Sequence, residues 1–224
     1  MNKYLFTLAS LLLGMASCSE MNNVHDPYED WQNRNAKWFE DTATVARQAI
    51  AGAKAQYGDK WEEHCDWRMY KSLLRTTTST GPVTDSICVR IMKHGADPDG
   101  KGSPAYNDSA YICFRGWTMP TMNYIGDGTS NIGMVQDVFD NTYVGEHSAE
   151  TSAPQLMSVS NLIEGFSTAM QYMVEGDEWM VFIPQQLGYG GEERGTIKAY
   201  STLQFHIHLV RWFESGTNMP NKWE

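Results

Sequence analysis

Few residues of this chain are placed to do chemistry, and the best placed is a tyrosine. Tyr189 stands between Gly188 and Gly190 in a Gly-rich loop, which presents a phenol as a hydrogen-bond donor that stays protonated up to about pH 10. His206 and His208 alternate with apolar residues, so both imidazoles fall on one strand face. Two histidines are part of a metal set, but no third ligand is evident, and the pair reads as an exposed polar face. Asp97, Asp99, Gly102 and Asp108 fit acidic and glycine positions of a calcium loop. Lys101 occupies a ligand position, however, and Pro104 disrupts the flank, so this stretch reads as a solvated turn. The chain holds no G-x-S-x-G, Walker loop or C-x-x-C motif.

The elements around Tyr189 are predicted from hydrophobic period. Gly176 ends a helix, and alternation through Trp179 to Ile183 predicts a strand. A second strand follows the loop, with Leu203, Phe205, Ile207 and Leu209 on one face and Gln204, His206 and His208 on the other. Upstream, Ile87 to Met92 reads as a strand closed by the turn formers 95–100, and Tyr111 to Gly116 as another. Residues 117–138 read as a long loop whose Met119, Met122, Tyr124 and Ile125 fold over the sheet or extend a pocket rim. Asn161 and Glu164, three apart, suit a helix cap. Before all of these, Trp38, Val45, Ala49, Ala53 and Tyr57, flanked by Phe39, Ala46 and Ile50, recur at helical spacing up to a stop at Gly58. That amphipathic face needs a cover: the domain, a second subunit, or the segment 61–74. Packing within the chain is the favoured reading.

The order strand, Ile183-Pro184, Leu187-Gly188-Tyr189-Gly190 loop, then Ser201-Thr202-Leu203-x-Phe205 strand resembles the C-terminal half of the FKBP family of peptidyl-prolyl isomerases. Phe139-Asp140 resembles the Phe-Asp pair of that family's third strand, and Leu162-Ile163-Glu164-Gly165-Phe166 the element that starts its single helix. The resemblance spans roughly residues 85–212. It implies an α+β fold, in which a curved antiparallel sheet wraps one short helix, preceded here by an N-terminal helical extension. It also implies that Tyr189 donates its hydroxyl to a substrate carbonyl, with Asp140 as the acidic group beside the pocket. Phe114, Phe139, Leu162, Ile163, Phe166, Ile197 and Phe205 would bind the substrate proline. Phe114 takes the place of a tyrosine and Phe166 that of a tryptophan, and the run Ala153-Pro154-Gln155-Leu156 lacks the aromatic that normally completes the cup. The implied activity is cis–trans isomerisation of X–Pro bonds, with proline-containing polypeptides as partners, no cofactor and no metal. A non-catalytic peptide-binding module or chaperone on the same fold is the alternative. Cys88 and Cys113 would sit on strands that are not neighbours, which argues against a bridge between them, and the cysteines after Cys18 read as buried small hydrophobes.

Compartment is read from the N-terminus. Lys3, the apolar run through Leu11-Leu12-Leu13, and Met15-Ala16-Ser17-Cys18 read as a lipoprotein signal over residues 1–17, with lipid carried on Cys18. Residues 18–27 would be a linker, 28–80 the helical extension, 81–214 the isomerase-like domain and 215–224 a tail. The expected location is the bacterial cell envelope, most simply the outer membrane, held by the lipid. The net charge of −10 leaves no basic stripe for phosphates, which excludes nucleic acid as a partner. Oligomeric state is left open.

Overall fold

The computed structural model describes residues 26–75, 83–97, 99–125, 131–148 and 151–217. The expected signal, Cys18 and most of the linker and tail lie outside these residues. Among the described residues, no helix is long and apolar enough to cross a membrane.

Seven strands form one antiparallel sheet in the order β1-β2-β8-β9-β3-β6, with β7 also paired to β3. They are β1 (Trp67–Lys71), β2 (Ser86–Lys93), β3 (Ser109–Thr118), β6 (Val138–Asn141), β7 (Gln155–Ser158), β8 (Glu178–Ile183) and β9 (Leu203–Phe213). The alternation seen in the sequence puts Ile87, Val89, Trp179, Val181, Ile183, Leu203, Phe205 and Ile207 on the inner face. There they enclose α2 (Glu164–Met170), the short helix, whose Phe166, Ala169 and Met170 complete the core. Close docking depends on Gly165, because a Cβ there would lie 2.3 Å from Cγ2 of Ile183. The architecture is α+β, as expected.

Part of the outer face is covered by a helix. Over β1, β2 and β8 lies α1 (Trp31–Tyr57), which packs Phe39, Ala43 and Ala46 against Cys88, Trp67, Met69 and Phe182. The cover is therefore intramolecular. The buried stripe differs from the sequence reading: it runs through Trp31, Asn35, Phe39, Ala43, Ala46 and Ala53, while Val45 is half exposed. The offset comes from Asn35, a fully buried polar residue that apolar periodicity passes over. Its Oδ1 accepts from Thr202 N–H at 2.8 Å, its backbone carbonyl accepts from Thr202 Oγ1 at 3.1 Å, and its Nδ2 donates to the Trp31 carbonyl. These bonds dock α1 onto the entry to β9. Asn35→Ala leaves the Thr202 N–H buried and unpaired, so it lowers unfolding free energy by about 1–3 kcal/mol in a urea titration.

Four further expectations are corrected. Residues 28–80 are not wholly helical, since Trp67–Lys71 joins the sheet as edge strand β1, with Arg68 buried on the carbonyls of Glu62, Cys65 and Trp67. Residues 117–138 hold a hairpin of β4 (Thr121–Ile125) and β5 (Asn131–Val135). Its Met122 lines a surface hollow with Asp26, Pro27 and Arg34 at the start of α1. α2 ends at Met170, so Gly176 is a turn residue whose N–H bonds the Leu209 carbonyl. The α2 N-terminus has no side-chain cap. Glu164 instead accepts from Ser72 Oγ at 2.6 Å and from Arg75 Nε and Nη2 at 2.7 and 2.8 Å, and the Arg75 guanidinium holds its carboxyl below the usual range.

The calcium-like stretch is a turn. Asp97 accepts from the N–H groups of Lys101 and Gly102, and Asp108 from those of Ala105 and Ser215. Cys65, Cys88 and Cys113 are free and buried. Burial pushes the Cys88 thiol up to about 12, which makes it inert at neutral pH.

Candidate functional site

An apolar cleft of about 200 Å³ opens between α2, β3, β6 and the loop after β8. Three phenylalanines make its wall: Phe114 from β3, Phe166 from α2 and Phe205 from β9, each at most 4% exposed. Phe166 meets Phe205 edge-on with ring centres 5.0 Å apart, and Phe114 at 5.8 Å. Phe139, half buried on β6, meets Phe205 at 5.3 Å and 86°. Edge-to-face packing is a favoured aromatic geometry, and it fixes the ring directions that shape the cavity.

This packing requires Gly116 on β3. A Cβ at that position would lie 2.7 Å from both the Phe139 and Phe205 rings, closer than such atoms approach. The glycine opposite Asp140 in the β3–β6 register is thus what lets two cleft rings lie over the strand.

Tyr189 lines the same cleft. Pro184 starts a short 3₁₀ turn, and the N–H groups of Gly188 and Gly190 both bond the Gln185 carbonyl. The Tyr200 N–H closes the loop onto the Gly190 carbonyl at 2.7 Å. The phenol so held has no hydrogen-bond partner for its hydroxyl among the described residues. Burial raises its pKa above the usual 10, and the Asp140 carboxylate adds to that. The group is therefore a neutral donor across the physiological range. Asp140 lies exposed at the cleft edge and accepts the Asn141 N–H at 2.9 Å. Phe114, having no hydroxyl, leaves it that partner.

The structure gathers Tyr189, Asp140, Phe114, Phe139, Leu162, Ile163, Phe166 and Phe205 around one cavity. Ile197 is the exception: the Arg194–Ile197 bridge turns it into the core, where it is 5% exposed, and it does not line the cleft. Two lining residues were missed by the sequence reading, Met157 on β7 and Asn161. Met157 follows the run that lacks an aromatic, and a flexible thioether is suited to filling such a gap. Its signal was the one-residue offset from Leu156 to the inward-facing position.

His206 and His208 also depart from expectation. They do not form an exposed face: His208 is 8% exposed, because residues 142–148 cross over it and place His147 Nε2 3.1 Å from its Nδ1.

Residues 121–210 match the FKBP-type peptidyl-prolyl cis-trans isomerase family, a segment that contains every cleft residue except Phe114. The chain is 32% identical over 127 residues to the macrophage infectivity potentiator of Trypanosoma cruzi, covering 56% of this chain and 54% of that protein. It is 36% identical over 94 residues to the outer membrane protein MIP of Legionella longbeachae, covering 40% and 34%. The chain thus spans about half the length of the first relative and a third of the second. Among solved structures, FkpA from Escherichia coli aligns at 19% identity and a TM-score of 0.45, over 78% of this chain and 64% of that one.

Proposed function

From the premise that residues 121–210 belong to the FKBP-type peptidyl-prolyl cis-trans isomerase family, we propose that this protein isomerises X–Pro bonds in polypeptides, using the aromatic cleft as its active site. The observation that carries the reading is the cleft itself: a small cavity of phenylalanine edges with one neutral hydroxyl at its lining.

Rotation about an X–Pro amide is slow because it breaks amide resonance, a barrier of about 18–20 kcal/mol. Twisting localises the nitrogen lone pair and makes the carbonyl less polar. A dry apolar wall disfavours the polar planar amide more than the twisted one, and lowers the barrier without any bond being made. Phe114, Phe166 and Phe205 supply that wall, with Phe139, Ile163 and Met157 around the proline ring. The cavity is below the roughly 300–1,000 Å³ of drug-sized pockets, which suits a single pyrrolidine ring. Tyr189 holds the residue-side carbonyl by donating its hydroxyl, fixing one end of the amide while the other turns. Asp140 sits at the edge as the acidic group beside the pocket.

In this proposal residues 81–214 form the catalytic domain. Residues 28–80 form an extension clamped to it by Asn35–Thr202 and Arg75–Glu164. The protein acts in the cell envelope, anchored by lipid on Cys18. Support for that location is the signal-like sequence of residues 1–17 and a relative named as an outer membrane protein. Mass spectrometry of the mature N-terminus tests it, and an unmodified N-terminus elsewhere removes the anchor.

Tyr189→Phe tests the mechanism. It deletes one hydroxyl and keeps the ring, so the rate of proline-limited refolding catalysis falls about tenfold, equivalent to roughly 1–2 kcal/mol. Because the hydroxyl titrates above 10, the loss is the same from pH 6 to pH 9. Equal rates for the two proteins remove Tyr189 from the mechanism.

A further inference from the structure

A second cluster of chemical groups lies on the opposite face of the sheet from the cleft. Glu178 on β8 and His208 on β9 are cross-strand partners, and His206 lies two residues along the same face. The segment 142–148 lays His147 over them. His208 Nδ1 and His147 Nε2 are 3.1 Å apart, and His147 Nδ1 lies 3.7 Å from Glu178 Oε1. One ligand atom from each of His147, Glu178 and His208 lies within 4.8 Å of the other two. The His147 side chain is 5% exposed and that of Glu178 20%, so the cluster is largely closed to water.

We propose that His147, Glu178 and His208 bind a divalent transition-metal ion of the zinc class. Two imidazoles and one carboxylate are a donor set that zinc takes readily, with water in the fourth position, whereas calcium and magnesium favour all-oxygen sets. Ligands about 2.0–2.1 Å from a tetrahedral ion stand roughly 3.3 Å from one another. The His147 Nε2–His208 Nδ1 pair is already close to that spacing, and the carboxylate closes in from within the 4.8 Å that spans the three ligand atoms.

The surroundings order the ligands. Tyr143 Oη lies 2.5 Å from His206 Nδ1. A phenol is protonated at neutral pH, so with the hydroxyl as donor His206 accepts on Nδ1 and carries its proton on Nε2. That nitrogen is 3.7 Å from Glu178 Oε2. It therefore orients the carboxylate from behind and leaves Oε1 for the ion, the role that outer-shell groups play in metal sites. The Lys93 ammonium, 3.8 Å from Oε1, is on an exposed side chain and swings to solvent when the ion enters. The ion ties residue 147, in the connection between β6 and β7, to β8 and β9. It thereby clamps the chain that leaves Asp140.

The test is calorimetric titration of the full chain, stripped with chelator, with Zn²⁺ alone. One ion per chain is expected, with Co²⁺ giving the visible absorption of a tetrahedral site and Zn²⁺ raising the melting temperature. His147→Gln and Glu178→Gln each weaken binding by more than the ~10–100-fold that loss of an outer-shell group brings. His94→Gln, a change to an exposed histidine outside the cluster, leaves it unchanged. His147 lies in a connecting segment and Glu178 at a strand end, so circular dichroism of both variants matches wild type. No stoichiometric binding by wild type overturns the proposal, as does wild-type affinity in the two variants.

Discussion

Phe205→Ala lowers unfolding free energy by about 3–5 kcal/mol, as expected for removal of a buried phenylalanine ring. Phe205 is 4% exposed and touches three other rings, Phe114, Phe139 and Phe166. Its loss leaves a cavity where β9 meets α2, and the remaining rings lose the edges that fix their directions. In a chain of this size each kcal/mol shifts the melting temperature by about 2–4 °C, so calorimetry should show a fall of roughly 10 °C. A fall of under 2 °C would mean that the ring cluster is not a packed unit. Isomerase activity falls with it, but this variant cannot separate wall from scaffold.

Gly116→Val makes that separation. The valine side chain enters the space now held by the Phe139 and Phe205 rings, whose atoms stand 2.7 Å from the position of its Cβ. Phe139 is half buried and free to swing outward; Phe205 is packed and must push toward the cavity. Overpacking of this kind costs about 1–3 kcal/mol, less than the loss of Phe205. Activity, however, falls by well over tenfold, because the displaced rings occupy the proline's place. The measurement is a pair: a urea titration for stability and proline-limited refolding of a model protein for catalysis. Unchanged catalysis in a destabilised variant would place the reaction elsewhere.

The parts of this fold that were legible in sequence are those with local periodicity. β9 and β8 alternate cleanly because one face is core, and the Gly-flanked loop between them announces a held tyrosine. β1 was not legible: Trp67 to Lys71 carries two cations, and Arg68 is buried only because three carbonyls converge on it. The stripe on α1 was misplaced because its pivot, Asn35, is polar and finds its partner 167 residues away. Glu164 was read as a local cap, yet its charge is satisfied by Arg75, 89 residues distant.

The site shows the same division. The cleft residues on β6, α2, β9 and the Tyr189 loop follow from motif order. Ile197 was placed in the cleft by that order too, but the bridge to Arg194 turns it inward. Met157 stands one residue beyond Leu156, and the register of β7 on β3 turns it toward the cleft, while His147 carries no pattern of its own. His147 is delivered by the connection between β6 and β7, over a face of β9 that the alternation of His206 and His208 alone marks as exposed.

Catalysis of X–Pro rotation in the aromatic cleft is read most plainly from the rate of proline-limited refolding of a model protein with and without this chain. Acceleration proportional to the amount of chain added is expected, reduced about tenfold by Tyr189→Phe. No acceleration by wild type, together with measurable binding of a proline-containing peptide, would contradict it and leave a peptide-binding module.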